Sequence, residues 1–396
     1  MLRRGVSASD TLARVNNLAS QGIYILHGDA DDNVPVTQAR TMREELAKFH
    51  PDFVYKEQPG AGHWWGNACV DWPAMFAFFD SQALPEPAQV NRIDFSTPAP
   101  HISSQSFWAR LQSQHHQGIV SRIELQLDRG KRLLTGKTSN VRSLILNLEQ
   151  MKSPQNGGDN SVLSIDLDGN KLENVSIADK QSVYLERKET GWSIVEEDRN
   201  SAHKTGRNGN FKEAFNHRFV LVYGTGGNPE ENEWMLARAR YDAETFWYRG
   251  NGSVDVVSDQ EWKGVAEQNR SVIVYGNASI NAAWKELLVD SPVAVERGSL
   301  RVPGEASGSE SAVLMIRPRP GSDVASVGAI GGTNIRSMRS TNRIPIFSSG
   351  TGYADLLIVS PDYLEKGIEA VPLTGYFGHD WSFESGEWSR QAAIRP

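Results

Sequence analysis

The chain has 396 residues, 39% of them apolar and 22% charged, with a net charge of -7 at pH 7. A single core rarely grows past roughly 250–300 residues, so two or three globular domains are expected. An acidic balance without a Lys/Arg block argues against nucleic acid as the main partner. The single cysteine, Cys69, excludes intrachain disulfides and cysteine-based metal sites.

The longest apolar cluster, Ala74–Phe79, falls far below the roughly 20 residues that span a bilayer, so no membrane segment is expected. No apolar stretch follows the basic start, so no secretion signal is recognised and the compartment stays open. The first predicted element is a helix in "SDTLARVNNLAS", capped by Ser9 or Asp10, with Leu12, Val15, Leu18 and Ala19 on one face. "GIYILHG" reads as a buried parallel strand, and residues 37–49 as a helix turning Ala39, Met42, Leu46 and Phe49 inward. "FVYKEQPGAGH" returns as a strand, and "DWPAMFAFFDSQAL" starts a helix at Pro73. Strand and helix alternate as in a parallel α/β sheet, yet only two strands precede the proline-rich Leu84–Gln89.

Residues 1–85 are therefore read as one α/β segment and 86–118 as a linker. From 119 to 200 the period is two, with Ile123, Leu125 and Leu127 on one face and Leu144, Leu146 and Leu148 on another, which predicts an antiparallel β-sandwich. Polar, turn-rich loops fall at 153–160 and at 201–210, the second marking a boundary. The α/β rhythm resumes over 211–396. Strands in "RFVLVYG", "SVDVVSD", "SVIVYG", "AVLMIRP" and "ADLLIVSP", with helices near 230–247 and from Asn281, predict a doubly wound, flavodoxin-like domain.

Two stretches carry chemistry. "HGDADDNVPV" (His27–Val36) places acids just past a strand, and "GAGHWWG" (Gly60–Gly66) places His63 among glycines just past the next strand. Taken alone, Asp29, Asp31 and Asp32 make a polar turn before a helix. A calcium loop fails, because Val34 stands where its glycine belongs and Arg40 where its glutamate belongs. As a pair, however, an acid and a histidine after consecutive parallel strands share one sheet edge, as two thirds of a hydrolytic triad would. "VLVYGTGGNPEENEW" has Pro229 in place of the third glycine of a dinucleotide loop, and its glutamates would repel a phosphate. His115, His116 and the remaining histidines show no zinc spacing and read as solvated loop residues.

The two stretches, at this spacing, resemble the C-terminal part of the prolyl oligopeptidase family of serine peptidases. The resemblance covers roughly the first 80 residues and implies an α/β-hydrolase fold, with Asp31 as triad acid, His63 as triad base and Asn33 beside the substrate. The remainder resembles the long C-terminal extensions of some bacterial members. The family's triad runs serine, acid, histidine, with the serine on a GxSxG elbow. No GxSxG occurs in this chain, and Ser7, Ser9 and Ser20 lack both its glycines and a preceding strand.

The expectation is thus the C-terminal portion of a serine hydrolase acting on peptide, less readily ester, bonds. It needs no cofactor and no metal and is inactive alone, with the serine half supplied from the upstream part of the complete protein or, as an alternative, by a separate upstream chain. A binding or structural protein with a remnant hydrolase segment is the alternative.

Overall fold

A computed structural model describes residues 1–151, 161–200, 203, 204, 207–262, 264, 267–305 and 308–391. The loop expected at 153–160 lies outside these residues, and the boundary at 201–210 is described only in part.

Strand β1 (Ile23–Gly28), the helix Thr37–Leu46 and strand β2 (Phe53–Gln58) follow the predicted order. The strands pair in parallel, from Ile23 opposite Phe53 to Gly28 opposite Gln58. The helix buries Ala39 and Leu46. His50, itself buried, shares its Nε2–H between the carbonyls of Leu18 (2.9 Å) and Gln21 (2.8 Å), fixing the turn in front of β1. The helix Pro73–Asp80 leans on β1, with Phe78 edge-on to Tyr24 at 5.7 Å between ring centroids. None of its residues is buried, and Phe76 and Phe79 stay about half exposed.

Residues 12–18 do not form the predicted α-helix. They make 3-10 turns with a kink at Arg14, and no residue in them is buried. The cause is tertiary: two side chains that a helix would leave in solvent bond the sandwich instead. Asn16 donates to the Asp94 carboxylate (2.9 Å), while Asn17 both donates to the Ser96 carbonyl and accepts from the Ser96 N–H (2.8 Å each).

The sandwich begins earlier than the sequence suggested. Its strands are β3 (Arg92–Thr97), β4 (Gln105–Ser106), β5 (Ala109–Gln114), β6 (Ser121–Asp128), β7 (Leu133–Ser139), β8 (Val141–Asn147), β9 (Val162–Leu167), β10 (Asn170–Ser176), β11 (Ser182–Lys188) and β12 (Gly191–Val195). One sheet has the order β10-β9-β7-β6-β3 and the other β12-β11-β8-β5-β4. The stretch read as a linker, 86–118, therefore holds β3, β4 and β5. Ile93, Phe95, Trp108 and Leu111 from it are all buried, and the Trp108 indole N–H donates to the Val90 carbonyl (2.8 Å). Nor is the sandwich wholly antiparallel. β8 lies in the opposite sheet, so the chain returns to β9 in the direction of β7, and these two pair in parallel. The alternation along β6 is complete: Ile123, Leu125 and Leu127 are buried and the residues between them exposed.

The last unit is one eight-stranded sheet. Its strands are β13 (Phe219–Tyr223), β14 (Asp255–Ser258), β15 (Ser271–Gly276), β18 (Ala312–Pro318), β19 (Ser326–Gly332), β20 (Leu356–Val359), β21 (Leu373–Tyr376) and β22 (Glu387–Arg390), while β16 (Ala294–Glu296) and β17 (Ser299–Arg301) form a separate hairpin. The order is β14-β13-β15-β19-β18-β20-β21-β22, and only the first four strands are mutually parallel. The doubly wound, flavodoxin-like expectation thus fits half of the sheet. β18 meets β19 through a short turn, which permits only antiparallel pairing, and β20 to β22 continue antiparallel.

Between sandwich and sheet runs a buried polar seam. Lys204 donates from Nζ to Gln117 Oε1 (2.7 Å), to the Phe377 carbonyl (2.8 Å) and to the Asp355 carboxylate. Asp355 also accepts the N–H groups of Asn210 (2.6 Å) and Phe377 (3.0 Å). Burial pushes Glu213 in the same seam up to about 8, against two backbone N–H bonds from Gly209 and Asn208 that favour its charged form.

A second seam joins the N-terminus to the C-terminal sheet. Arg4 reaches Glu387 and the Gln117 carbonyl (2.6 Å) and lies over the Tyr376 ring. Gly5 passes so close to Gly352 that a Cβ on Gly352 would sit 1.9 Å from the Gly5 carbonyl oxygen.

Leu144, with no exposed surface, packs between the two sheets of the sandwich. Leu144→Ala is expected to destabilise that domain by about 2–5 kcal/mol through lost burial and a residual cavity, read from the urea midpoint of the sandwich transition.

Candidate active site

The site is built by two loops stitched together at the carboxyl ends of β1 and β2. β1 ends at Gly28, where a Cβ would sit 2.3 Å from the Ala61 carbonyl oxygen, so only glycine admits the approach of the second loop. Across the gap the Ala30 N–H donates to the Ala61 carbonyl (3.0 Å) and the Gly60 N–H to Asp29 Oδ1 (2.6 Å). Gly60 has φ +68°, the left-handed conformation that a side chain would strain.

This frame brings Asp31 and His63 together. Asp31 Oδ1 accepts the backbone N–H groups of Asn33 (2.9 Å) and Val34 (2.8 Å), which aims Oδ2 at Nδ1 of His63, 3.0 Å away. The Asp31 side chain is only 6% exposed and that of His63 is 52% exposed. Withdrawal from water pushes the Asp31 carboxyl up, but the hydrogen bonds from Val34, His63 and Asn33 together outweigh it and hold the group at about 2. A carboxylate ionised at neutral pH only accepts, so Nδ1 of His63 carries the hydrogen and Nε2 is left as a base. Nε2 has no hydrogen-bond partner among the described residues.

His27 is a contributor that the sequence reading passed over. Its Nε2 lies 3.4 Å from Asp31 Oδ2 and 3.0 Å from the Val34 carbonyl, so it braces the acid's turn from the strand side. Its place at the end of β1, beside the acid loop, was the available signal. Asn33 lies exposed on the same turn and contributes its backbone N–H to Asp31. Trp64 is largely exposed beside His63.

The other sequence candidates fall elsewhere. At the "GTGGNPEENEW" turn, Asn228 and Glu231 form a reciprocal cap on the helix Pro229–Gly250, and the Glu231 carboxylate also pairs with Arg297 (2.7 Å). The helix start is therefore filled by the protein's own anion. His116 is exposed in its loop and also pairs with Glu387.

A carboxylate-oriented imidazole with its far nitrogen turned outward has the chemistry of a general base. Residues 3–84 match the prolyl oligopeptidase family. The match takes in both strands, both loops and the helix Pro73–Asp80. No curated protein and no solved structure matches the chain.

The folded value of Asp31, about 2, lies below its ordinary 3.8. Its stabilising contribution is therefore fully present above the unfolded value and lost as the pH falls through the folded one. Asp31→Asn is expected to lower stability at neutral pH, with the gap from the unaltered protein closing between about pH 4 and pH 2, as followed by urea unfolding across that range.

Proposed function

We propose that residues 1–85 are the acid–base end of a serine hydrolase of the prolyl oligopeptidase type, whose nucleophilic serine lies outside these 396 residues. The observation that carries this reading is the 3.0 Å bond from His63 Nδ1 to Asp31, with Nε2 of the same ring unpartnered among the described residues. His63 would take the proton of the serine hydroxyl as its oxygen attacks the carbonyl of a peptide, or less readily an ester. Asp31 would hold the tautomer and stabilise the imidazolium. His63 would then return the proton to the leaving amine, and water would release the acyl group by the same path.

The family match over residues 3–84 supports the reading. So does the apolar helix Pro73–Asp80, which buries none of its residues, as expected of a surface that packs against further polypeptide. With neither a GxSxG serine nor the oxyanion-hole N–H that follows it, the chain alone is inactive. A second reading, in which the hydrolase segment is a remnant and the chain binds a partner, draws on the cavity of about 560 Å³ that lies away from Asp31 and His63, between sandwich and eight-stranded sheet.

A serine-directed fluorophosphonate probe separates the two. No labelling of the purified 396-residue protein is expected. Joined to a segment that supplies the strand and GxSxG elbow of this family, it should label and hydrolyse peptides, and Asp31→Asn should then lower kcat by on the order of 10⁴-fold. Labelling of the isolated chain, or an active fusion indifferent to Asp31→Asn and His63→Ala, would rule the assignment out.

A further inference from the structure

Away from the hydrolase segment, three potential metal ligands meet where the chain leaving the sandwich passes the last loop of the eight-stranded sheet. Asp198 follows β12, His203 lies in the connecting segment and His379 lies between β21 and β22. His203 Nδ1 is 2.8 Å and His379 Nε2 is 3.8 Å from the same oxygen, Asp198 Oδ2. The imidazole centroids are 5.0 Å apart, and one ligand atom from each of the three residues lies within 4.8 Å of the others. Bonds of about 2.0–2.1 Å to a tetrahedral zinc ion place ligand atoms roughly 3.3 Å apart, so the two measured spacings bracket what an ion requires.

We propose that Asp198, His203 and His379 form a binding site for a divalent first-row transition-metal ion, with Zn²⁺ the first choice, that staples the sandwich to the C-terminal sheet. Two imidazoles and one carboxylate are the donor set such an ion takes. Each ligand is positioned by bonds that do not involve an ion. Asp198 Oδ1 accepts the Asn200 N–H (3.0 Å), the His203 N–H donates to the Asn200 carbonyl (2.9 Å), and the Lys204 N–H donates to the His379 carbonyl (2.8 Å).

An outer-sphere partner is at hand. Asn200 Nδ2 lies 3.2 Å from Nε2 of His203. With Nδ1 on the metal, Nε2 would carry the hydrogen, and a half-turn of the Asn200 amide would bring its oxygen to accept that hydrogen and hold the ring in the ligating tautomer.

The electrostatics are balanced. Lys204 and Arg142 oppose a cation here, but Lys204 is neutralised by Asp355 and Arg142 is paired with Glu186 (3.3 Å). Glu196, Asp380 and Glu387 line the same cavity, from which all three ligands are reached.

The test uses the full chain, stripped with EDTA and dialysed, then titrated with Zn²⁺ by calorimetry and with Co²⁺ by visible absorption. One equivalent should bind, Co²⁺ should give the intense d–d bands of a four-coordinate site, and Zn²⁺ should raise the unfolding temperature. Asp198→Asn, His203→Gln and His379→Gln should each weaken binding by about tenfold or more, whereas His116→Gln should leave it unchanged. Circular dichroism shows which variants are folded. If a ligand variant is not, Asn200→Ala keeps all three ligands and should still weaken binding about 10–100-fold. Failure of the unaltered protein to bind one equivalent, or binding that survives every ligand substitution, would overturn the proposal.

Discussion

The buried ion pair between Lys204 and Asp355 is the constraint on which the arrangement of the larger units rests. Two charges withdrawn from water are tolerated only where nearly every hydrogen and lone pair finds a partner. Here the partners come from three places: Gln117 on the sandwich, Phe377 at the end of β21, and Asn210 on the connecting chain. Burial pulls the Lys204 ammonium below its ordinary range, while the Asp355 carboxylate beside it works the other way. Because His203 is the neighbour of Lys204 and the Lys204 N–H is bonded to the His379 carbonyl, the same seam sets how closely the two histidines approach.

The two sites differ in how they are made. Asp31 and His63 are held by short-range devices: a turn that closes on its own carboxylate, a glycine that lets two loops touch, and two strands in parallel register. The acid is sheltered and the imidazole half open, an asymmetry that suits a base whose far nitrogen must meet another group. Asp198 and His203 share one short turn, but His379 joins them only because the chain leaving the sandwich docks on the C-terminal sheet.

That contrast explains what could be read in the sequence. Asp31 and His63 were legible because each follows a strand directly and parallel strands bring their carboxyl ends to one edge. Strand β6 was legible because its apolar residues alternate without a break. Strand β3 was not, since its inward face runs from Ile93 and Phe95 into Thr97, too short an apolar alternation to stand out. The first helix failed because Asn16 and Asn17 found partners on Asp94 and Ser96, and no local preference encodes a partner that distant. The mixed direction of the last sheet depended on the tight connection between β18 and β19, and apolar strand runs do not report direction. His203 and His379 carried no ligand spacing because the fold, not the local chain, makes them neighbours.

The crossing of Gly5 and Gly352 has a mechanical consequence. Backbone touching backbone leaves no side chain to slide or reorient, and Arg4 on one side of the crossing is pinned by Glu387 and Tyr376. The N-terminal segment therefore behaves less like a module on a tether than like a lever clamped at its base. It is thus held at two places, to the C-terminal unit at Arg4 and Gly5 and to the sandwich through Asn16 and Asn17.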